Sequence, residues 1–509
     1  MATAVMLLWL FGFVVTAAFC VWEHRRRQRG SKDPRTWPLF GAQWEAMANM
    51  HQMHCWFQSF FTSSHRTVTL RTFAGRIMYL TLDPVNVHYI LKDKFQNYPK
   101  GERVHSVLHD FMGDGIFNSD GKIWRKHRKI ASFEFSNRKL KQMSLTTFRR
   151  DALRLLHLLH TFATSRHSVD LQDLFMRMTM DSLCKLLFGM DGQNLETRLP
   201  EDPFGKAFDN VNDIIITRLV NPFWKIQRAL NMGKEKIVNE NLEVLNSLIS
   251  NIIEKRKENI SVQVRSNAVN FEQKADDLLS RFMQYNEADY QKTYNERELR
   301  DFIVNFMVAG RDTTAIALSL FIYCICKHPR VAEKIRRETA ELLSLENDHN
   351  MEVEEMANKL DYECLARMNY LHAALSETVR LYPPVPRTVL KDDVLPDGIY
   401  VKRGAQISYV PYSMGRMEFL WGTDALEYKP ERWLKDGAFQ PESPFKFTAF
   451  QAGPRMCLGK EYAYVQMKMT ASLLLHFFRF NLVDNGDVKY RVMMIMPIAG
   501  GLNVHVSRR

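Results

Sequence analysis

Between Trp56 and Leu91 the apolar positions fall into short β-branched and aromatic runs, Thr67-Val68-Thr69-Leu70 and Met78-Tyr79-Leu80-Thr81-Leu82, and this pattern predicts a small sheet. Further along the chain the period lengthens. Stretches around Phe148 to Phe162, Val169 to Phe188, Lys234 to Lys257, Glu296 to Lys327, Arg330 to Leu345, Leu371 to Leu381 and Glu461 to Phe477 carry apolar residues at helical spacing with long polar faces. Short strands are predicted again near Ile399 to Val401, Gln406 to Val410 and Leu502 to Val506. From Glu254 to Asp276 the chain is polar and weakly periodic, which predicts a surface loop with frayed helix ends inside one domain. No internal repeat stands out, and the pattern as a whole predicts a mainly α fold with a small β subdomain.

The N-terminus has its own pattern. Ala2 to Trp22 carry no charge and are rich in Leu, Val, Phe and Ala. As a helix rising about 1.5 Å per residue they reach roughly 30 Å, one hydrocarbon thickness. Glu23-His24-Arg25-Arg26-Arg27-Gln28-Arg29 follows at once, and no basic residue precedes the run. The positive-inside rule then keeps the downstream chain in the cytosol. A cleaved secretory peptide is the competing reading; it calls for positive charge before the apolar run and a small-residue cleavage site after it, and the order here is reversed. The expectation is a single transmembrane signal-anchor over residues 2–22, a basic Pro/Gly hinge over 23–45 containing Pro34, Pro38 and Gly41, and a catalytic domain over 46–509.

Composition narrows the class. With 509 residues, 46% hydrophobic and 25% charged, the chain can bury a large core and is neither disordered nor multi-spanning. Its net charge of +12 is spread along the chain without a long arginine-rich tract. That distribution suits a membrane surface or an acidic protein partner and gives no support to nucleic-acid binding. The seven cysteines, Cys20, Cys55, Cys184, Cys324, Cys326, Cys364 and Cys457, include no CxxC pair and no zinc spacing, so a disulfide scaffold is not expected. Most read as small buried hydrophobes, Cys324 and Cys326 among them.

Cys457 stands apart. In Phe450-Gln451-Ala452-Gly453-Pro454-Arg455-Met456-Cys457-Leu458-Gly459 two glycines, a proline and an arginine crowd one cysteine directly before a helix. Backbone N–H groups of such a loop, with the helix N-terminus, can hold a sulfur as thiolate. The decamer resembles the FxxGxRxCxG signature of the cytochrome P-450 family and matches it at every specified position. The resemblance implies the cytochrome P-450 fold, haem b as cofactor, Cys457 as axial ligand of the iron, and Phe450, Arg455 and Gly459 as part of the haem site, Arg455 on a propionate. A thiolate ligand favours O–O cleavage at haem iron.

Met307-Val308-Ala309-Gly310-Arg311-Asp312-Thr313-Thr314-Ala315 lies inside a long helical pattern, where a glycine costs about 1 kcal/mol and paired threonines are also unfavourable. A locally poor sequence of this kind points to function. The absent side chain at Gly310 would allow close approach of a flat cofactor or of dioxygen. The segment resembles the family's [AG]GxDT[TS] motif, which implies proton delivery by Asp312 and Thr313. By residue chemistry alone, a helix bend with an internally satisfied threonine is the alternative.

Glu377-Thr378-Val379-Arg380 sets opposite charges three residues apart, an ordinary surface pair when read alone. With Pro430-Glu431-Arg432-Trp433 it resembles the family's ExxR and PERW elements, which implies that Glu377, Arg380 and Arg432 lock the cysteine loop. Trp124 and Arg128, at i and i+4, suit a carboxylate-bearing ligand. The resemblance puts this pair on a haem propionate and leaves Arg125, Lys126 and Lys129 as a solvated face or a surface for an acidic redox partner. Arg387, after Pro383-Pro384-Val385-Pro386, is the candidate for a further haem contact, although that stretch is shorter than the family pattern.

Four more stretches resemble plant fatty-acid ω-hydroxylases of the family: Asn97-Tyr98-Pro99-Lys100-Gly101, Gly113-Asp114-Gly115-Ile116-Phe117-Asn118, Ala131-Ser132-Phe133-Glu134-Phe135-Ser136 and Asp170-Leu171-Gln172-Asp173-Leu174-Phe175. The implied substrate is a lipophilic small molecule, a long-chain fatty acid, hydroxylated at its end. Terminal attack needs a narrow apolar pocket, because C–H bond strength favours internal carbons. Candidate lining positions are Ile116 and Phe117, the Asp213 to Leu219 region, Phe306 with Ala309, Val385, and Pro497-Ile498. Arg103 or Arg218 could hold the carboxylate, with surface exposure the plainer reading of both. No GxGxxG follows a strand, so electrons from NADPH are expected through a separate NADPH-cytochrome P-450 reductase. Localisation in the endoplasmic reticulum membrane follows from the resemblance. Three alternatives are weighed: a same-fold hydroxylase of another lipophilic small molecule; a lyase or isomerase of hydroperoxides on the same fold, against which the intact Asp312-Thr313 pair counts; and a non-catalytic haem-binding protein.

Overall fold

In the computed structural model, residues 2–30, 33–34, 36–165, 167–196, 203–265, 277–284, 295–344, 352–382, 392–491 and 495–509 are described. The uncharged N-terminal run folds as helix α1 (Ala2–Arg27). It continues past residue 22 through the arginines, and cations at a helix C-terminus favour that extension. Met6, Trp9, Phe11, Val14, Val15 and Phe19 are exposed along α1. The segment expected as a hinge is fastened at both ends. Gln28 Oε1 accepts from the Thr36 amide at 3.1 Å, and the Ala42 amide donates to the Arg71 carbonyl at 2.7 Å. Gly41 has φ 58°, and a Cβ there would lie 2.3 Å from the Arg71 oxygen, so only glycine fits the turn.

Both predicted N-terminal strands form. β1 (Thr67–Arg71) and β2 (Ile77–Thr81) pair antiparallel with Thr67 opposite Thr81. After them come α2 (Gly101–Met112), α3 (Gly121–Ser136) and α4 (Arg138–Ser165). The run predicted as one helix from Val169 opens as a short strand, β3 (Ser168–Asp170), whose last residue caps α5 (Leu171–Phe188) by accepting from the Gln172 amide at 2.9 Å. Next are α6 (Pro203–Ile215) and α7 (Lys234–Arg265). Of the loop predicted over 254–276, residues 254–265 instead continue α7, and 266–276 lie outside the described residues. Ile249 and Ile253 keep one face buried, and Arg256 Nε donates to Ser280 Oγ at 2.5 Å.

The long apolar pattern from Glu296 becomes α8 (Glu296–Met307), one π-helical turn (Val308–Asp312) and α9 (Thr313–Lys327). By length and hydropathy this run could cross a membrane, but 78% of its apolar window is buried inside the protein, as befits a core helix. It is followed by α10 (Pro329–Leu343), α11 (Asn369–Leu381), β4 (Gln406–Tyr409), α12 (Lys460–Phe477), β5 (Phe478–Leu482) and β6 (Asn503–Arg508). β4 joins the first sheet parallel to β2, and β6 lies between β3 and β5 in a second. α5 packs on α4 and α9, α12 on α4, and α11 on α9. The helical core therefore surrounds the segment carrying Gly310 and Thr313, while the first sheet has a core of its own around Val68, Leu80 and Ile407.

Candidate active site

The cysteine loop owes its shape to two left-handed residues, Gln451 (φ 61°) and Gly453 (φ 65°). A Cβ on Gly453 would meet the Leu91 carbonyl oxygen at 2.0 Å, which excludes every other residue. A 3₁₀ turn over Gly453–Arg455 follows, and the Cys457 amide donates to the Phe450 carbonyl at 2.9 Å, closing the loop. Directly after Gly459 the chain enters α12. Burial pushes the Cys457 thiol up, while the Gly459 amide and the charges of Arg128 and Lys460 pull it back. Protein surrounds this sulfur, yet it opens into an internal cavity, which is why Cys457 is both accessible and desolvated.

That cavity measures about 330 Å³. One wall is Phe450, Cys457, Leu458 and Gly459; facing it are Phe306, Ala309, Gly310, Thr313 and Thr314. Trp124, Arg128, Arg455 and Lys100 stand on its lining as the polar edge, and no carboxylate lines it among the described residues. Trp124 is buried, with the Arg455 guanidinium 4.5 Å from its ring centre. Arg455 Nη2 donates to the Ser119 carbonyl at 3.0 Å and to Asp120 Oδ1 at 2.5 Å. A sulfur donor on one wall, apolar faces and cationic side chains around the same space suit a planar, doubly anionic metal macrocycle, so the residues present fit haem.

Opposite the sulfur, the π-helical turn alters what the sequence implies. Thr313 Oγ1 donates to the Ala309 carbonyl at 2.5 Å, and Thr179 Oγ1, reaching across from α5, donates to the Arg311 carbonyl at 2.9 Å. Such wide turns loosen the helical ladder and are frequent at functional sites. Gly310 lines the cavity, but the space its Cβ would take is filled by Leu183 Cδ2 at 2.6 Å. Its missing side chain serves the packing of α5, a correction to the expectation that it makes room for a cofactor.

Asp312 lies off the cavity lining. Its carboxylate accepts from Arg311 Nη1 at 2.9 Å and from Asn212 Nδ2 at 3.1 Å, and Arg311 also holds Asp209 at 2.6 Å. Burial raises the Asp312 carboxyl to about 6 against the pull of Arg311.

Glu377, Arg380 and Arg432 form a buried cluster rather than a surface pair. Glu377 accepts from Arg380 Nε at 2.7 Å and Nη2 at 2.8 Å, from Arg432 Nε at 2.8 Å, from the Lys429 amide at 2.9 Å and from Trp433 Nε1 at 2.9 Å. Both Glu377 and Arg380 are nearly fully buried. From there the contact runs to the cysteine loop: the Trp433 ring lies 4.7 Å from Phe447, which lies 6.5 Å from Phe450.

Several expectations about the pocket change. Ile116, Phe117, Phe306 and Ala309 line it, and near the C-terminus Ile495 and Met496 do so in place of Pro497 and Ile498. The Ile498 amide is bound instead to Gln172 Oε1 at 2.8 Å. No residue from Asp213 to Leu219 reaches the lining. Arg218 is buried between Glu235 at 2.5 Å and Asp110 at 2.8 Å, so its charge is already matched and it is neither exposed nor a headgroup site. Arg103 is partly buried and donates to the Leu219 carbonyl at 3.1 Å. Val385 and Arg387 lie outside the described residues. Cys324 is buried, with its thiol pushed far up by desolvation, and burial pushes Cys326 up to about 12, so both are inert packing residues.

Sequence reasoning missed Thr179 and Asn305. Asn305 lines the cavity, accepts from the Phe117 amide at 2.9 Å and donates to the Met112 carbonyl at 2.8 Å. Its signal was an asparagine on the apolar face of a helix, a position that burial leaves only to a satisfied polar group.

A helical fold closing on a cysteine loop that faces a broken helix across a cationic-edged cavity defines a haem-thiolate protein. The chain belongs to the cytochrome P-450 family, whose sequence model matches residues 32–499. It is 46% identical to cytochrome P-450 704B1 of Arabidopsis thaliana over 96% of this chain and 97% of that protein. It is 42% identical to cytochrome P-450 704C1 of Pinus taeda, over 93% and 92%, and 37% identical to cytochrome P-450 86B1 of Arabidopsis thaliana, over 96% and 88%. As a member of this family the protein is a haem-binding monooxygenase, an oxidoreductase that incorporates oxygen from O₂.

Proposed function

We propose that the protein hydroxylates the terminal carbon of long-chain fatty acids with electrons from NADPH, delivered by a separate NADPH-cytochrome P-450 reductase. The observation that carries this reading is the apolar cavity between Cys457 and the Ala309 to Thr314 wall, whose described lining holds cations and no carboxylate. Apart from the cations that suit the haem, its lining of Ile116, Phe117, Phe306, Ala309, Ile495 and Met496 suits a long hydrocarbon chain. Haem, bound through Cys457, supplies the activation of dioxygen. Trp124, Arg128 and Arg455 would hold its propionates, and Phe450 and Gly459 would line the space it takes. Thr313 Oγ1 hands a proton on at the cavity wall. Asp312, off the cavity wall with a carboxyl raised to about 6, is ionised at neutral pH yet takes up a proton more readily than an ordinary carboxylate, which suits passing one on to Thr313. Glu377, Arg380 and Arg432 position the loop.

The catalytic domain of residues 46–509 hangs from α1, read as a single membrane anchor over residues 2–22, on the cytosolic face of the endoplasmic reticulum. Exposed Trp37, Leu39 and Trp44 support a domain lying against the bilayer together with exposed Phe223, Ile226 and Leu230. The two groups adjoin, since Phe73 contacts the rings of both Phe40 and Phe223. Exposed Arg125 and Lys129 suit an acidic reductase.

The test is the absorption spectrum of the reduced, CO-bound protein in membranes, followed by titration with fatty acids of increasing chain length. A thiolate-type Soret band with a spin shift on fatty acid is the expected result. A band with no shift removes the substrate assignment, and folded haem protein without the band removes the ligand assignment.

A further inference from the structure

On α2, His105 and His109 stand one turn apart on the same face, and Asp114 follows just after the helix. His105 Nε2 lies 2.8 Å from Asp114 Oδ1, and His109 Nδ1 lies 3.8 Å from the same oxygen. All three donor atoms are within 4.8 Å of one another. The side chains are 26%, 30% and 45% exposed, so an ion can reach them from solvent. His109 Nδ1 itself is shielded and makes no hydrogen bond.

We propose that His105, His109 and Asp114 bind one divalent transition-metal ion. Around a tetrahedral centre with bonds of about 2.0–2.1 Å, donor atoms sit about 3.3–3.4 Å apart. The two distances to Asp114 bracket that value, and small rotations of half-exposed side chains bring both to it. Two imidazoles and one carboxylate select zinc, nickel, cobalt or copper over calcium and magnesium, which prefer all-oxygen sets. Water completes the shell.

A cation already stands behind the site. Exposed Arg297 has Nη2 2.7 Å from His109 Nε2, an arrangement that requires the lone pair on Nε2 and the proton on Nδ1. Metal at Nδ1 reverses this tautomer, so Arg297 must swing away. Arg297 therefore weakens the site, and a hydrogen-bond acceptor in its place strengthens it.

Occupancy has a structural consequence. The Asp114 amide donates to Asp301 Oδ2 at 2.9 Å and the Phe117 amide to Asn305 Oδ1 at 2.9 Å. Gly113 and Gly115 pack so closely on Asp301 and Asn305 that a Cβ at either would clash. The ion ties α2 to this 113–117 segment and stiffens it where Ile116 and Phe117 line the cavity. Binding stands apart from the fatty-acid reading; only an effect on substrate would rest on it.

The experiment is calorimetric titration of untagged, haem-loaded full-length protein with Zn²⁺. One equivalent is expected, with affinity at least ~10-fold weaker in His105→Asn and in Asp114→Asn, and tighter in Arg297→Gln. His157→Asn, which removes an exposed histidine paired with Glu354 on another helix, is the control and leaves this affinity unchanged. Hydrogen exchange at 113–117 slows with Zn²⁺ in the parent protein and not in His105→Asn. Undiminished affinity in both ligand variants, or exchange at 113–117 indifferent to Zn²⁺, overturns the proposal. Neither readout involves substrate turnover.

Discussion

Removing the charge of Glu377 strikes a buried ion-pair cluster. Glu377→Gln keeps the shape but turns an NH₂ donor toward a set composed entirely of donors: two guanidiniums, an indole N–H and a backbone amide. Arg432 retains Asp424 at 3.2 Å, whereas Arg380 is left with only the carbonyls of Gly415, Ala425 and Glu427. The loss thus falls on a buried guanidinium without a counter-ion, a situation that costs about 3–5 kcal/mol. With a denaturant slope near 3 kcal/mol per molar in urea, the midpoint falls by roughly 1–2 M. The assay follows the thiolate-type CO band and near-ultraviolet circular dichroism against urea. Because Trp433, Phe447 and Phe450 relay the cluster to the cysteine loop, the band is expected to fail at lower urea than the dichroism. Glu377→Leu combined with Arg380→Met removes both charges and is expected to recover part of the loss. A Glu377→Gln midpoint within about 0.3 M of the parent would refute the reasoning, since that corresponds to less than about 1 kcal/mol.

Other perturbations have defined outcomes. Cys457→Ser abolishes the thiolate-type spectrum, and retention of that band would sink the ligand assignment. Thr313→Ala leaves NADPH oxidation running while product falls, to be read from the ratio of product formed to NADPH consumed; full coupling counts against proton delivery at the cavity wall. Gly310→Ala gains about 1 kcal/mol of helix propensity but forces Leu183 to move, an overpacking cost of about 1–3 kcal/mol, so thermal stability drops slightly; combined with Leu183→Ala the two losses are less than additive, and strict additivity would refute the packing account. For Asp312 the sign follows from its raised carboxyl. Between about 4 and about 6 the folded state binds more protons than the unfolded state, so stability falls as pH rises through that window and is flat above it. Asp312→Asn reduces this slope in urea titrations; Asp151, also raised to about 6 by burial, keeps part of it. An unchanged slope in Asp312→Asn would contradict the burial account.

What the chain made legible follows from which interactions are local. The helices from Arg138, Lys234 and Lys460 and the strands at Thr67 and Ile77 could be read because periodicity reflects a buried face, and the face is set by neighbours in sequence. Errors arose where a distant residue decides. Gly310 looks like an opening for a cofactor until Leu183, on α5, is seen filling it; Arg218 looks like a surface cation until Asp110 and Glu235 converge on it from two other helices. The same distinction separates the parts of the candidate site. The cysteine loop is contained in ten consecutive residues, and a glycine with φ 65° against the Leu91 carbonyl needs only one remote contact to explain it. Asp312 and Thr313, adjacent in sequence, have different surroundings. Thr313 lines the cavity, while Asp312 bonds to Asn212 and to Arg311, which in turn holds Asp209. The wide turn at Val308–Asp312 divides the two neighbours, leaving Thr313 on the cavity and Asp312 behind it. The glycine and paired threonines marked this stretch as a poor helix, but which neighbour faces the cavity is decided by Asn212 and Asp209, remote in sequence, through their hold on Asp312 and Arg311.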